Sequence, residues 1–192
     1  MQIELSKIQN LLEWMKTKIY LDTISPSSIK RAVKRGEVYK CNLGMGIGSE
    51  MQKERPCIIV QNDTRNSYSG NVIIVPISHT NKKISCIIPI KTRTDEKNNI
   101  ILDGYANVSN LMCVSKARLS SYITTLSKEE MINIDTELLS ILDLFNYTNQ
   151  LKKQLLDKNL YISKLKKQLS ELKTITNTNS FENLKKKIFE KM

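Results

Sequence analysis

The 192-residue chain holds one histidine, one tryptophan and four cysteines. With His79 as its lone imidazole, every mechanism that needs two is excluded, and a zinc site would have to be completed by carboxylates. Cys41, Cys57, Cys86 and Cys113 are never closer than 16 residues, which fits no CxxC metal knuckle or redox motif. They read as buried thiols in a reducing compartment. Six glycines and four prolines exclude collagen-like and Gly/Pro-rich disordered chains. Apolar runs such as Val72-Ile73-Ile74-Val75 fall far short of the roughly 20 residues a membrane helix needs. Glu4 and Lys7 interrupt the apolar pattern of the first ten residues, so neither export nor membrane association is expected and a cytoplasmic protein is.

What is present is a core's worth of apolar residues, 40%, and a net charge of +11. The charge is uneven. Residues 1–33 and 34–145 each carry +2, whereas residues 146–192 carry 11 basic against 4 acidic side chains. A basic tail has two readings: attraction to a polyanion through counterion release, or a lysine-rich face that keeps a helix soluble.

Ile3, Leu5, Ile8, Leu11, Leu12, Met15 and Ile19 recur at mostly three- and four-residue steps, with Trp14 alongside, and predict an amphipathic helix over residues 1–24. Ser25-Pro26-Ser27-Ser28 is expected to break it and open a linker, 25–33. The period then changes. Glu37 to Leu43 alternates like a half-buried strand, followed by a loop with Gly44, Gly46 and Gly48. Cys57–Val60 and Val72–Ile77 are β-branched runs, and the Asn62–Gly70 segment between them has loop composition. Residues 84–90 form another strand, with Pro89 marking an edge or end. Thr92–Asn99 is a polar loop, and Tyr105–Val114 a strand. Short strands at this spacing predict a small antiparallel barrel or sandwich.

Ser127-Lys128-Glu129-Glu130 is a capping box, and Met131, Ile134, Leu138, Leu142 and Phe145 continue it as one helix. Beyond it, Leu151, Leu155, Ile162, Leu165, Leu169 and Leu172 alternate four- and three-residue steps, with Lys158 the one exception. That is a heptad seam, predicting a coiled coil over 146–176. A basic tail, 177–192, has room for one more short helix.

From Arg35-Gly36-Glu37-Val38-Tyr39 the chain continues with Gly48-Ser49-Glu50, Glu54-Arg55-Pro56, Ile58-Ile59-Val60-Gln61-Asn62-Asp63 and Asn66-Ser67-Tyr68-Ser69. Val72 to Ser78 and Lys116-Ala117-Arg118-Leu119 follow. This ordered series, over residues 34–145, resembles the MazF/PemK family of toxins from bacterial type II toxin–antitoxin systems. The resemblance implies a mainly β fold with α: an SH3-like small antiparallel β-barrel plus a C-terminal helix. Here the N-terminal amphipathic helix and the C-terminal coiled coil would flank it. It further implies a homodimer, a cognate antitoxin as partner, and a metal-independent endoribonuclease that needs no cofactor and cuts single-stranded RNA.

Such cleavage uses the RNA's own 2′-hydroxyl as nucleophile. The site must take up that proton, stabilise the phosphorane and protonate the leaving 5′-oxygen. The family's functional arginine falls on Arg55, whose planar fork suits two phosphate oxygens and whose high pKa makes it an electrostatic clamp before a proton donor. Its alternative use is a salt bridge to Glu54 or Glu50. The family's second key residue is a threonine, and Ser78 stands there, keeping the hydroxyl without the methyl. Glu50 matches a family acid that serves as base or orients the arginine; a loop-capping carboxylate is the alternative. Thr80, His79, Asn62 and Asn110 complete the RNA-contacting candidates, although Asn62 is also an ideal turn former. Met51 stands where the family often has glutamine, and Ser109-Asn110-Leu111 where Glu-Gln-Ile is common. With Ser78, these departures keep a second reading open: a catalytically weakened SH3-like module that binds RNA or protein and assembles through its coiled coil.

Overall fold

The computed structural model describes residues 4–79, 86–176 and 181–190. The chain divides into two compact units, Met1–Leu142 and Asp143–Met192.

The first unit opens with helix α1, Leu5–Ser28, which runs through Pro26 instead of breaking there. So close to the helix end, proline forfeits a single i→i−4 hydrogen bond. The last turn recovers partners locally and from afar. Ser27 Oγ donates to the Ile24 carbonyl and Ser28 Oγ to that of Ser25, both at 2.8 Å. Just past the end, the buried Lys116 Nζ donates to the Ile29 carbonyl at 3.2 Å and to that of Asn66 at 2.7 Å.

Gly36, at φ 85°, turns the chain into strand β1, Glu37–Asn42. Strand β2, Glu54–Ile59, returns antiparallel, with Val38 opposite Ile58 and Cys41 opposite Arg55. The polar stretch after it, read as a loop, contains a six-residue helix, α2, Asp63–Tyr68, whose first turn Asn62 caps. Asn and Asp satisfy orphan helix donors as readily as they make turns, so composition does not separate the two.

Strand β3, Asn71–Ser78, is the axis of the sheet. One edge pairs with β2. The other serves two partners in turn: Asn71–Ile74 pair with β8, Met112–Ser115, and Ile77–Ser78 with β7, Tyr105–Asn107. The expected single strand over 105–114 is therefore two, separated by a 3-10 turn at Val108–Asn110 that carries the chain from one half-sheet to the other. Strand β4, Ile87–Pro89, pairs with β7 and ends on the expected proline. Its forerunners Ile84 and Ser85 lie outside the described residues. Strands β5, Arg93–Thr94, and β6, Ile100–Leu102, make a separate hairpin inside the expected loop. Strand β9, Leu119–Thr125, pairs with β1, giving the order β4-β7-β3-β2-β1-β9 with β8 branching from β3. The antiparallel sheet with its closing helix is the expected fold class; among the described residues no ladder joins β4 to β9.

Strand alternation divides the core in two. Val38, Ile58, Val75 and Ile77 face one cluster, which helix α3, Lys128–Ile141, closes with Ile134. Tyr39, Cys41, Cys57, Ile59, Val72 and Ile74 face the other, with Val33, Val114 and Leu119. Each fully buried Ile or Val is worth about 1.5–3 kcal/mol, so both faces weigh on the register. The capping box forms as read: Ser127 Oγ accepts from Glu130 N while the Glu130 carboxylate accepts from Ser127 N.

Helix α3 stops short of Phe145. Asp143 adopts φ 52°, a left-handed conformation that Asp tolerates better than most residues, and separates it from the next helix. In the second unit, α4, Leu144–Thr176, is one uninterrupted 33-residue helix, about 50 Å long, and α5 spans Phe181–Phe189. Along the heptad seam Leu151, Leu155, Ile162 and Leu165 are exposed within this chain. Among the described residues no helix is long and apolar enough to cross a membrane.

Candidate active site

The β1–β2 connection is a loop with a narrow neck. Leu43 N donates to the Lys53 carbonyl at 3.0 Å, and Lys53 N to that of Gly44 at 2.7 Å. Gly44 and Lys53 both have positive φ, 80° and 68°, which turns the chain sharply at each side of the neck. Glu50 lies within the loop, where its Oε2 accepts from Ile47 N at 2.8 Å. Its carboxylate thus closes the loop's own turn, the alternative weighed from sequence.

Arg55 stands two residues past the neck, on β2. Its Nε donates to the Gln52 carbonyl at 2.8 Å, which anchors the near edge of the guanidinium. Neither salt bridge of the alternative reading forms: Glu54 Oε1 accepts from Ser120 Oγ at 3.1 Å, and Glu50 is held at Ile47. Among the described residues no carboxylate pairs with Arg55, so its two terminal nitrogens remain available for an anion.

Ser78 ends β3 and is 5% exposed. Strand parity puts Arg55 on the same face as Cys57 and Ile59, and Ser78 on the same face as Ile74 and Val72. Both therefore stand at the rim of the second core cluster. The β2–β3 ladder runs to Cys57–Pro76 and stops, and Pro76 has no N–H with which to extend it. Arg55 and Ser78 each lie two residues beyond that last pair, at the same end of the ladder. Gly104 backs this point: a Cβ there would lie 2.7 Å from the Ser78 carbonyl oxygen, and its φ of 103° suits glycine alone.

The remaining candidates separate. His79 follows Ser78, and its exposed ring pairs through Nε2 with Asp103 Oδ1 at 2.8 Å. Asn110 closes the 3-10 turn before β8, whose register on β3 (Met112 opposite Ile74) runs toward the Ser78 end. Its Nδ2 reaches only Ser109 Oγ, at 3.5 Å. Asn62 is not brought to this cluster. It lies past the far end of β2 from Arg55, and its Oδ1 accepts from Arg65 N at 2.8 Å as the cap of α2. Thr80 lies outside the described residues.

Several groups at the rim escaped the sequence reading. Gln52 matters through its backbone carbonyl, which carries no sequence signal. Asp103 precedes Gly104 in a turn dipeptide, but its pairing with His79 spans 24 residues. Trp14 of α1 lies on Gly44, and the Arg118 guanidinium sits 5.2 Å from its ring centroid. Beneath Arg55, Cys41 and Cys57 are fully buried. A hydrogen bond between them, together with burial, pushes the Cys57 thiol well above its ordinary pKa, so Cys57 is not poised as a nucleophile. Among the described residues no three His, Cys, Asp or Glu gather where a metal ion could be held. The arrangement offers a fixed cation and a hydroxyl at the same end of the β2–β3 ladder, chemistry suited to a phosphate group.

The family model of PemK-like, MazF-like toxins of type II toxin–antitoxin systems matches residues 34–142. The endoribonuclease MazF of Staphylococcus epidermidis is 34% identical over 116 residues, which cover 60% of this chain and 95% of that protein. The crystal structure of MazF from Deinococcus radiodurans superposes with a TM-score of 0.52 at 13% identity, covering 59% of this chain and 98% of its own. A mycobacterial endoribonuclease solved with its cognate antitoxin gives 0.49 at 29% identity, over 59% and 97%. The α1, α4 and α5 helices lie beyond the matched residues.

Proposed function

The chain belongs to the PemK-like, MazF-like toxins of type II toxin–antitoxin systems, and from that membership we propose that it is an endoribonuclease that cuts single-stranded RNA by attack of the 2′-hydroxyl on the adjacent phosphate. The observation that carries the reading is Arg55: a guanidinium tethered at Nε to Gln52, without a carboxylate partner among the described residues, at the same end of the β2–β3 ladder as Ser78. The terminal nitrogens grip two non-bridging oxygens and stabilise the charge that builds on the phosphorane. Because arginine keeps its proton, it acts by charge and orientation. The Ser78 hydroxyl holds the same phosphate from the other strand. Glu50, at the head of the loop, accepts the 2′-hydroxyl proton once RNA orders that loop. The departing 5′-oxygen takes its proton from water, and the products are a 2′,3′-cyclic phosphate and a 5′-hydroxyl.

The active assembly is a homodimer working in the cytoplasm, and its cognate antitoxin protein silences it by covering the Arg55 rim. The lysines of α4 add non-specific attraction to RNA. The test is to incubate purified protein with RNA in chelator and sequence the new 5′ ends. Arg55→Ala is expected to lose about 10²–10³ in rate with an unchanged unfolding midpoint, the usual cost of removing one electrostatic donor. Cleavage by the variant within a few-fold of wild type would refute the assignment. If the wild type binds RNA without cutting it, the binding-module reading holds instead.

A further inference from the structure

We infer that Trp14, outside the segment shared with the family, is a positioning residue for Arg55: it clamps the neck of the β1–β2 loop and so holds the carbonyl to which Arg55 is tethered. The inference rests on the proposed role of Arg55 and adds what keeps that side chain in place.

The contacts form an unbroken series. The indole lies against Gly44 so closely that a Cβ built there would be 2.3 Å from Cζ2 and 2.6 Å from Cε2 and Cη2. Gly44 is therefore required twice, by this approach and by its φ of 80°. The Gly44 carbonyl accepts from Lys53 N at 2.7 Å, closing the neck. Gln52, the residue before Lys53, offers its carbonyl to Arg55 Nε at 2.8 Å. From the indole to the guanidinium each step is a van der Waals contact, a backbone hydrogen bond or a covalent neighbour.

Trp14 is itself held. The Arg118 guanidinium sits 5.2 Å from its ring centroid, while Arg118 Nη1 donates to the Asn42 carbonyl, two residues before Gly44, at 3.0 Å. That makes a sandwich of indole, glycine backbone and guanidinium against the end of β1. The helix that carries Trp14 has no fully buried residue of its own, and the indole is half-buried. A helix so lightly packed contributes little core.

A mobile neck would let Gln52 drift and with it the Arg55 fork. Misplacement of a catalytic group by an ångström costs on the order of 10²-fold in the limit, and partial loosening less. Trp14→Ala is therefore expected to lower kcat about tenfold on a short single-stranded RNA with a mapped cleavage site, with KM changed less than twofold. Trp14→Phe, which keeps a ring over Gly44, should restore most of the loss. The decisive arm is the Arg55→Lys background, where no Nε tether to Gln52 exists. There, Trp14→Ala should change the rate less than twofold. An equal tenfold loss in that background, or wild-type kcat for Trp14→Ala, overturns the inference. If Arg55→Lys itself cleaves like wild type, the assignment of Arg55 is what fails.

Gly44→Ala provides a reciprocal arm, since its methyl must displace the indole. Its φ strain adds to that displacement, so it should lower kcat at least as far as Trp14→Ala, and the double variant should be no slower than Gly44→Ala alone. Losses that multiply would show that the two residues act independently and would also overturn the inference.

Discussion

Replacing Glu130 tests the electrostatics that tie α3 to the β5–β6 hairpin. Its side chain is 5% exposed and receives five hydrogen bonds. Arg93 contributes two, at 2.6 and 3.1 Å, in a fork; Ser127 contributes its N–H and hydroxyl, and Lys91 its N–H. Burial alone would push the carboxyl up, but the bonds from Arg93, Ser127 and Lys91 outweigh it and bring the pKa from the ordinary 4.5 to about 2. A folded-state pKa below the unfolded one stabilises the fold above the unfolded value, and that contribution is lost as pH falls through the folded one. The difference corresponds to about 3 kcal/mol, present at neutral pH and lost between about pH 5 and pH 2. Glu130→Gln is thus expected to cost about 3 kcal/mol at pH 7, where it leaves Arg93 without its carboxylate. Wild type and variant should converge as pH approaches 2. The assay is urea unfolding of both proteins across that range, read as the difference, so that titrations common to both cancel. A gap below about 0.5 kcal/mol at pH 7, or one that stays constant down to pH 2, would refute the reasoning.

At Ser78, loss of the hydroxyl in Ser78→Ala should impair cleavage clearly, while Ser78→Thr should keep or raise it, because the β-branch restricts the hydroxyl to fewer rotamers; single-turnover rates on one RNA compare them, and a fully active Ser78→Ala would exclude the hydroxyl. Truncation after Tyr147 should leave a soluble protein that still cuts RNA but binds it with a shallower salt dependence, since most of the excess positive charge is gone; identical slopes would remove the tail from RNA binding. Lys158→Leu fills the one charged position of the α4 seam and should raise the melting temperature of that helix and the fraction of associated chains seen by light scattering. No change in either would show that the seam does not pair with a second copy.

Local order was legible in the sequence wherever neighbours a few residues apart decide the structure. The capping box at Ser127 and Glu130 is an i, i+3 relation, and it forms. Alternation at Glu37–Leu43 and the heptads of 146–176 are equally local, and the strand and the long helix form there within two residues of the bounds read. The family motif around Arg55 singled out the residue that carries the candidate site.

Three elements needed the tertiary fold. Helix α1 passes Pro26 because Lys116, 87 residues from Ile29, supplies a donor to its end. Asn62 to Tyr68 is a helix and not a loop, since Asn66 is buried with its carbonyl accepting from Lys116 and its amide bonded to Gln61. The strand read over 105–114 is split, because β3 offers its edge to β7 and β8 in succession.

The site divides the same way. Its chemistry belongs to residue types, so Arg55 and Ser78 could be named from the chain alone. Their placement at one end of the β2–β3 ladder comes from a strand register that the two core clusters set, by burying alternate residues on both faces. The tether of Arg55 to a backbone carbonyl and the seat of Trp14 on Gly44 leave no mark in residue identity. A backbone oxygen is the same in every residue, and a contact across thirty positions has no period. Where such groups point is decided when the sheet closes around them.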